Sequence, residues 1–519
     1  MQAFWVTLIL PLVSTVTVVP IPLSPGDAPS VNGNLLSLSI EQDRWLDWSG
    51  NTTRNSFFFN TLDNLVVITG DNPTIRIGST RALPCSLSSA DDDGFLSRGN
   101  IRRRRPWVLS GKWPGAKFLP PGTGVTWGVN FGGKNLTAVF LETQAIVNAF
   151  ASPAIQNAGI TLDFLELGRA GNEADLYSNN GLRASTYNVS QYTTEWITFA
   201  TNMSLTANLA GSDTRIWGAA FAGSSHTTTG FSPQGIFANN ILASAPGKFI
   251  DTISQHHYSG SFCTGNAGLL QDLMTKATIR SNLSAFIPDI QATQNKGLDY
   301  VFGEINSYSS NPASLITPYL GRKSVSPGCS STKESGTNTT WQVPSSAQLC
   351  LFSTANQIQP ETLTMSTLDG HVLDPPLQPH IQPQYYAAII IAEAIGDSGN
   401  TQALEFNIND SRISGYGFYE SGTLKRAVFI NSLAFLSGTT TRPSTHLNLT
   451  FSGSGTEPTS FSLKRLVIGH ATDGSGLTYG GQTYETSDAR VGGTLMPENG
   501  TVSAGIDIPA TQAILVSFN

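Results

Sequence analysis

The sequence predicts an α/β domain of the (β/α)8 TIM-barrel kind followed by a C-terminal antiparallel β-sandwich. Three observations carry that prediction. Between about residues 35 and 308, apolar strand patterns alternate with helical patterns, the mark of βα units around a parallel sheet. After about residue 397, short apolar runs are separated by Gly/Ser/Thr-rich turns, the spacing of a sandwich. The length of 519 residues accommodates a barrel of roughly 250–300 residues and a second domain.

The elements follow in order. LLSLSIE at 35–41 reads as a buried strand ending on Glu41. Phe57–Ile68 is an amphipathic helix, and PTIRIG at 73–78 is a strand closed by Gly78. GVTWGVNF at 124–131 is a strand, followed by a helix over Leu136–Phe150 with Asn135 as its N-cap. GITLDFLELG at 159–168 is the fourth strand, and Tyr187–Leu205 is the helix after it. RIWGAAFAG at 215–223 and FIDTISQHHY at 249–258 are strands, with helical patterns at 267–276 and 283–295. LDYVFGE at 298–304 is the seventh strand and ends on Glu304. Tyr385–Ile395 is the last barrel helix and leads into the sandwich of residues 397–519, whose strands include 412–420, 426–433, 446–453, 461–469 and 514–519.

Two stretches carry no period. Residues 79–116 run from three aspartates to four arginines. Residues 309–357 are rich in Ser, Thr and Pro and stand where the eighth βα unit is due. Read alone, they leave the barrel without its closing strand.

Composition narrows the function classes. Charged residues are 13% of the chain, about half the usual share. A surface of Gly, Ser, Thr and Asn suits a secreted protein. The net charge of −7 argues against nucleic acid as a partner. Four cysteines do not make a disulfide scaffold, and none stands at zinc-ligand spacing. No stretch beyond the N-terminus is long and apolar enough to span a membrane. Residues 1–20 read as a short secretory leader without a basic start, or else Val16–Ile21 is already a mature strand. Nine Asn-x-Ser/Thr sequons occur, at Asn51, Asn135, Asn188, Asn202, Asn282, Asn338, Asn409, Asn448 and Asn499. A composition this rich in Asn, Ser and Thr gives about six by chance.

The chemistry concentrates at strand tips. Asn172 and Glu173 stand just beyond the fourth strand, and Glu304 closes the seventh. Two carboxylates at the C-terminal tips of barrel strands are the parts a glycosidase needs, one to protonate the leaving oxygen and one to attack the anomeric carbon or activate water. A surface Glu at a helix start is the plain alternative for Glu173. His256 and His257, adjacent on a strand, face opposite sides and do not readily share a metal. The arginine run at 102–105 reads as solvated loop. Trp45 and Trp48 follow Glu41 and have a cleft-lining reading beside a core one; Trp127 and Trp196 read as core.

The segments SIEQDRWLDWSGN, TIRIG, VTWGVNFG, ITLDFLELG, GNEADLYSNNGLR, ISQHHYSGSFC, AGLLQDLM and YVFGEINSYS make the chain resemble glycoside hydrolase family 79, of the fungal secreted β-glucuronidase type. The resemblance implies a retaining hydrolase with Glu173 as acid/base and Glu304 as nucleophile. It further implies that Asn172 binds the sugar 2-hydroxyl and Glu41 other sugar hydroxyls. Tyr258 and Tyr308 become the groups that contact the glucuronate carboxylate or orient Glu304. The partner implied is a glucuronate-bearing glycan, with no metal or organic cofactor and no stated oligomeric state. Arg169 and Ala170 intrude between strand 4 and the Gly171-Asn172-Glu173 motif, so they must loop out if Glu173 is to keep its place. This intrusion and the two aperiodic segments, whose abrupt ends also fit a faulty gene model, favour a competing reading as an inactive or carbohydrate-binding secreted relative. A same-clan enzyme for another sugar, such as xylose, is a further alternative.

Overall fold

The computed structural model describes residues 15–42, 45–78, 113–168, 173–259, 270–306, 349–354, 358–360, 362–365 and 372–519. Strand β1 (Thr15–Pro22) lies outside the barrel and is taken up below. The barrel strands are β2 (Leu36–Glu41), β3 (Ile75–Gly78), β4 (Gly124–Val129), β5 (Thr161–Leu167), β6 (Arg215–Phe221), β7 (Ile250–Tyr258), β8 (Asp299–Asn306) and β9 (Leu349–Thr354). They close in sequence order, every neighbour parallel, with β9 bonded to both β8 and β2. The aperiodic segment therefore does contain a closing strand. Pairing on both sides holds Leu349–Thr354 extended where no sequence period announced it. The boundary of β8 also moves, because the ladder to β7 carries two residues beyond Glu304, through Ile305 and Asn306.

The helices form where local signals favour them. Short α1 (Trp45–Ser49) follows β2. In α2 (Ser56–Thr69) the Asn55 side chain caps the start and Gly70, at a φ of 74°, ends it in the left-handed region. Helix α3 (Leu136–Phe150) starts on Asn135, whose side-chain oxygen accepts from the amide of Ala138. Helix α4 (Pro153–Gln156) is a single turn before β5. Helix α5 (Val189–Thr206) begins with a reciprocal capping box between Asn188 and Gln191. Short α6 (Pro233–Ala238) follows β6. The two helical patterns between β7 and β8 are realised as three shorter helices, α7 (Leu270–Met274), α8 (Lys276–Ser284) and α9 (Ile287–Gln294). Helix α10 (Pro383–Ile395) is buried around nearly its whole circumference, since the barrel covers one side and the sandwich the other.

Two small ribbons precede α10, one pairing β10 (Ile358–Gln359) with β13 (His380–Ile381), the other β11 (Leu363–Met365) with β12 (Val372–Leu377). The sandwich strands are β14 (Thr401–Glu405), β15 (Ile413–Glu420), β16 (Thr423–Asn431), β17 (Ser444–Ser452), β18 (Ser460–Val467), β19 (Thr478–Tyr479), β20 (Glu498–Thr501), β21 (Ile506–Pro509) and β22 (Gln512–Phe518). One sheet runs β14-β15-β16-β22-β18-β19, with β20 also on β18; the other runs β1-β17-β21. Strand β1 thus belongs to the C-terminal domain and pairs parallel with β17, a departure from the all-antiparallel expectation. Trp45, Trp48, Trp127 and Trp196 are all buried, so the cleft-lining reading of Trp45 and Trp48 is corrected to core; Trp45 and Trp127 meet edge to face.

Candidate active site

The C-terminal ends of the barrel strands carry a buried polar cluster. Glu173 follows β5 and opens a single 3-10 turn, Ala174–Leu176, without capping it by its side chain. It does not behave as a surface helix-starting acid. Its Oε1 accepts from Nδ1 of His256 on β7 at 3.1 Å, and its side chain is 27% exposed. Glu304 on β8 is nearly closed off, and its two oxygens are used separately. Oε1 accepts from the hydroxyl of Tyr258 at the tip of β7, and Oε2 accepts from Nη1 of Arg76 on β3 at 3.1 Å. His256 is fully buried, with Nδ1 3.8 Å from Glu304 Oε2. Glu173, His256 and Glu304 each present one donor atom within 4.8 Å of the other two. The Arg169-Ala170 intrusion therefore leaves Glu173 facing Glu304.

Arg76 is the member that sequence reading missed. In TIRIG it reads as one residue of a buried strand, and its partners lie 90 and 228 residues away. It is wholly buried, with Nε to Glu166 Oε2 at 2.9 Å and Nη1 to Ser39 Oγ at 2.8 Å. A cation enclosed in a barrel is costly unless carboxylates surround it, and Glu166 and Glu304 supply them. The signal that could have found it is charge alternation: Arg in β3, Glu166 in β5 and Glu304 in β8 all interrupt apolar strands. His256, set aside in the sequence as a metal ligand, is the other missed member. Strand alternation sends it inward while His257 turns out against Phe286.

The environment splits the two acids. Burial raises the Glu173 carboxyl above the ordinary glutamate range, and the neighbouring Glu304 adds to the rise, while the His256 hydrogen bond opposes it. Burial also pushes Glu304 up, but the charges of His256 and Arg76 and the Tyr258 hydrogen bond outweigh it, and the net shift is downward. Burial lowers His256, yet Glu304 and Glu173 carry it above its usual value. Burial raises the Tyr258 phenol well above 10, keeping it a donor. The two carboxyls are thus pushed apart, Glu173 toward keeping its proton and Glu304 toward losing it, the division of labour acid–base catalysis requires. The three-donor spacing alone would suit a divalent cation, but Arg76 already supplies positive charge at Glu304 and would repel one.

Glu41 closes β2, half-buried and near enough to bear on the Tyr258 phenol electrostatically. Asn172 and Tyr308 lie outside the described residues. Asp175, unmarked in the sequence, braces the Glu173 turn. Its carboxylate accepts from the amides of Ala222 at 3.0 Å and Gly223 at 2.7 Å, just past β6. The backbone there is strained, with Ala219 at φ 75° and Ala220 at φ 57°.

A closed parallel barrel with two carboxylates of split acidity at its strand tips has the parts that a glycoside hydrolase uses. Residues 415–515 match the model of the glycosyl hydrolase family 79 C-terminal beta domain. Over those residues the family expected from the sequence is found again. Curated proteins give no match. Among solved structures, the chain is similar to a 4-O-α-L-rhamnosyl-β-D-glucuronidase from Fusarium oxysporum 12S, described as a Rha-GlcA complex. The TM-score is 0.69 at 20% identity, covering 96% of this chain and 100% of that one. AbfB, a family 51 α-L-arabinofuranosidase from Bifidobacterium longum, gives a TM-score of 0.55 at 15% identity, with 97% and 99% covered. A monomeric β-xylosidase from Caulobacter crescentus CB15 gives 0.50 at 13%, with 97% and 99% covered. At these identities the structural likenesses speak for the fold.

Proposed function

We propose that the chain is a secreted retaining β-glucuronidase that removes terminal β-linked glucuronic acid, or its 4-O-methyl form, from polysaccharide or proteoglycan side chains. The observation that carries the mechanism is the approach of one carboxyl oxygen of Glu173 to one of Glu304 within 4.8 Å. Retaining glycosidases hold their carboxyls about 5–5.5 Å apart, whereas inverting ones need roughly 6.5–9.5 Å to admit a water. The family 79 match over residues 415–515 and the likeness to the Fusarium glucuronidase support glucuronate as the sugar.

In this reading Glu304 attacks the anomeric carbon as the glycosidic bond breaks. Glu173 gives its proton to the departing oxygen. Glu173, now a base, takes a proton from water that attacks the same carbon, and Glu304 leaves. Arg76 and Tyr258 keep Glu304 ionised and aimed. His256 orients Glu173 and supplies positive charge between the two acids. Asn172 and Glu41 bind sugar hydroxyls, and Tyr308 takes the glucuronate carboxylate.

The test is hydrolysis of 4-nitrophenyl β-glucuronide and of the matching xyloside, with proton NMR on the first product formed. β-Glucuronate appearing before its α-anomer supports retention; α first overturns it. Preference for the xyloside replaces the sugar assignment. Glu304→Gln is expected to lose at least about 1,000-fold in kcat while its circular dichroism is unchanged. Wild-type turnover in that variant removes Glu304 as nucleophile.

A further inference from the structure

The fold sorts the sequons that the catalytic reading leaves unused. Asn51, Asn135, Asn188, Asn409, Asn448 and Asn499 are exposed, whereas Asn202 and Asn282 are half-buried. Asn202 sits within α5, and its side-chain oxygen has essentially no accessible surface. Asn338 lies outside the described residues.

Asn448 is set apart by what surrounds it. It lies in the middle of β17 with its side chain outward, while its strand neighbours Leu447 and Leu449 are buried in the sandwich core. Strand β1 runs parallel beside it in a register that sets Val16 against His446, Val18 against Asn448 and Pro20 against Thr450. The same alternation buries Val19 and Ile21 and turns Val16 and Val18 out, 65% and 54% exposed. Among the described residues β1 is the edge of its sheet. Two apolar β-branched side chains on an exposed edge strand are a standing invitation to pair with another chain. The asparagine on that face that heads an Asn-x-Thr sequon is Asn448, and it stands directly opposite Val18.

We propose that Asn448 is an N-glycosylation site whose glycan lies over Val16 and Val18. The inference rests on the secretory route proposed above, with any leader ending ahead of β1, and not on the catalytic reading. The transfer joins Nδ2 of Asn448 to the anomeric carbon of the first sugar of a lipid-linked oligosaccharide. The lipid diphosphate departs with the electrons of the broken bond, and the amide gives up one proton. A sugar is the fitting cover. The C–H face of a pyranose ring packs on the valines while its hydroxyls stay in water, and its bulk denies the strand edge to a second chain. The hydroxyl of Thr450, the third residue of the sequon, donates to the carbonyl of Val19 at 3.2 Å and ties the two strands beneath the attachment point.

The experiment expresses the full chain through the secretory pathway of a yeast host. Deglycosylation by peptide N-glycosidase in 18O water then marks each occupied asparagine as 18O-aspartate for peptide mapping. Asn448 is expected to be occupied in most molecules and Asn202 in almost none. An unmodified Asn448 beside other occupied sequons overturns the proposal, as does a chain that receives no glycan at all. The covering role is read separately. Asn448→Gln is expected to raise binding of the dye ANS severalfold and to bring on concentration-dependent association in light scattering. Asn499→Gln, which removes a sequon from the other sheet, is expected to change neither. If Asn448→Gln is not secreted, native deglycosylation of the folded wild type gives the same reading. Unchanged dye binding and association after loss of the Asn448 glycan overturns the cover.

Discussion

Glu173 and Glu304 meet through His256, and each group depends on the charge of the others. In the proposed mechanism Glu304 must be ionised to attack and Glu173 protonated to donate. Since Glu304 is held below the ordinary glutamate range, the acid limb of kcat/KM is expected below it. Since Glu173 is held above that range, the alkaline limb is expected above it. A bell-shaped pH–rate profile broader than two unshifted glutamates would give is the result that checks both signs. Tyr258→Phe removes a bond that lowers Glu304, so the acid limb is expected to move to higher pH. A hydrogen bond to a charged group contributes about 1.5–3 kcal/mol, so kcat is expected to fall roughly 10- to 150-fold. Asp175 acts one step back. Asp175→Ala frees the Glu173 turn from the Ala222 and Gly223 amides, and a shift of about 1 Å there can lose about 100-fold in rate. That loss is expected on alkyl glucuronides, whose leaving group needs the proton of Glu173, and within about threefold to vanish on 2,4-dinitrophenyl glucuronide, which does not. Equal losses on both substrates would make Asp175 a purely structural residue. The two acids could be picked out because each comes at or soon after the end of an apolar run in the sequence. Arg76, His256 and Asp175 were not, because their meaning lies in partners far along the chain. Arg76→Met is expected to destabilise the fold by about 3–5 kcal/mol in urea titration, through the unpaired Glu166 it leaves behind.

Among the elements, those with local punctuation were read nearly to the residue. Helix α3 starts and stops where Asn135 and the apolar period place it, and α2 is bracketed by Asn55 and Gly70. Asn55 also donates to the carbonyls of Asp47 and Pro360, at 3.0 Å each, so it fastens α2 to the short helix Trp45–Ser49 and to the residue that follows β10. Asn55→Ala is expected to cost about 1–2 kcal/mol in the urea midpoint, at the upper end for a cap. Elements defined by pairing alone were not legible. Strand β9 has no alternation to betray it and exists because β8 and β2 each present a free edge to it. Strand β8 outruns Glu304 for the same reason, its last two residues held by the β7 ladder. Apolar residues near the N-terminus likewise serve two readings, leader or strand, until a partner for them is known.

At the scale of the molecule, the barrel core continues into one face of the sandwich, whose interior holds a second cluster of its own. The main cluster of buried apolar side chains runs from Trp45 and Ile77 in the barrel through α10 to Tyr416, Phe418, Leu466 and Leu515 in the sandwich. Polar contacts fasten the same seam. Lys464 bonds Glu393 of α10 at 2.8 Å, Arg426 donates to the last carbonyls of α10, and buried Lys276 of α8 reaches the carbonyl of Ile408 at 3.1 Å. An interface that is this apolar resists independent domain motion. A single calorimetric unfolding transition is therefore expected, and two separated transitions would refute the shared core. A chain cut before residue 397 is expected to be insoluble, because the apolar flank of α10 would lose its cover.

The position of β1 has a consequence in time. Thr15 finds its partner Thr445 only after about 430 more residues have been made. At roughly 5–20 residues per second that is about 20–90 s of synthesis. Through that interval the barrel can assemble behind it, but β1 waits as an unpaired apolar tether. One strand of the sandwich is made before the barrel and its partner after it, so the sandwich cannot close until the barrel has been synthesised.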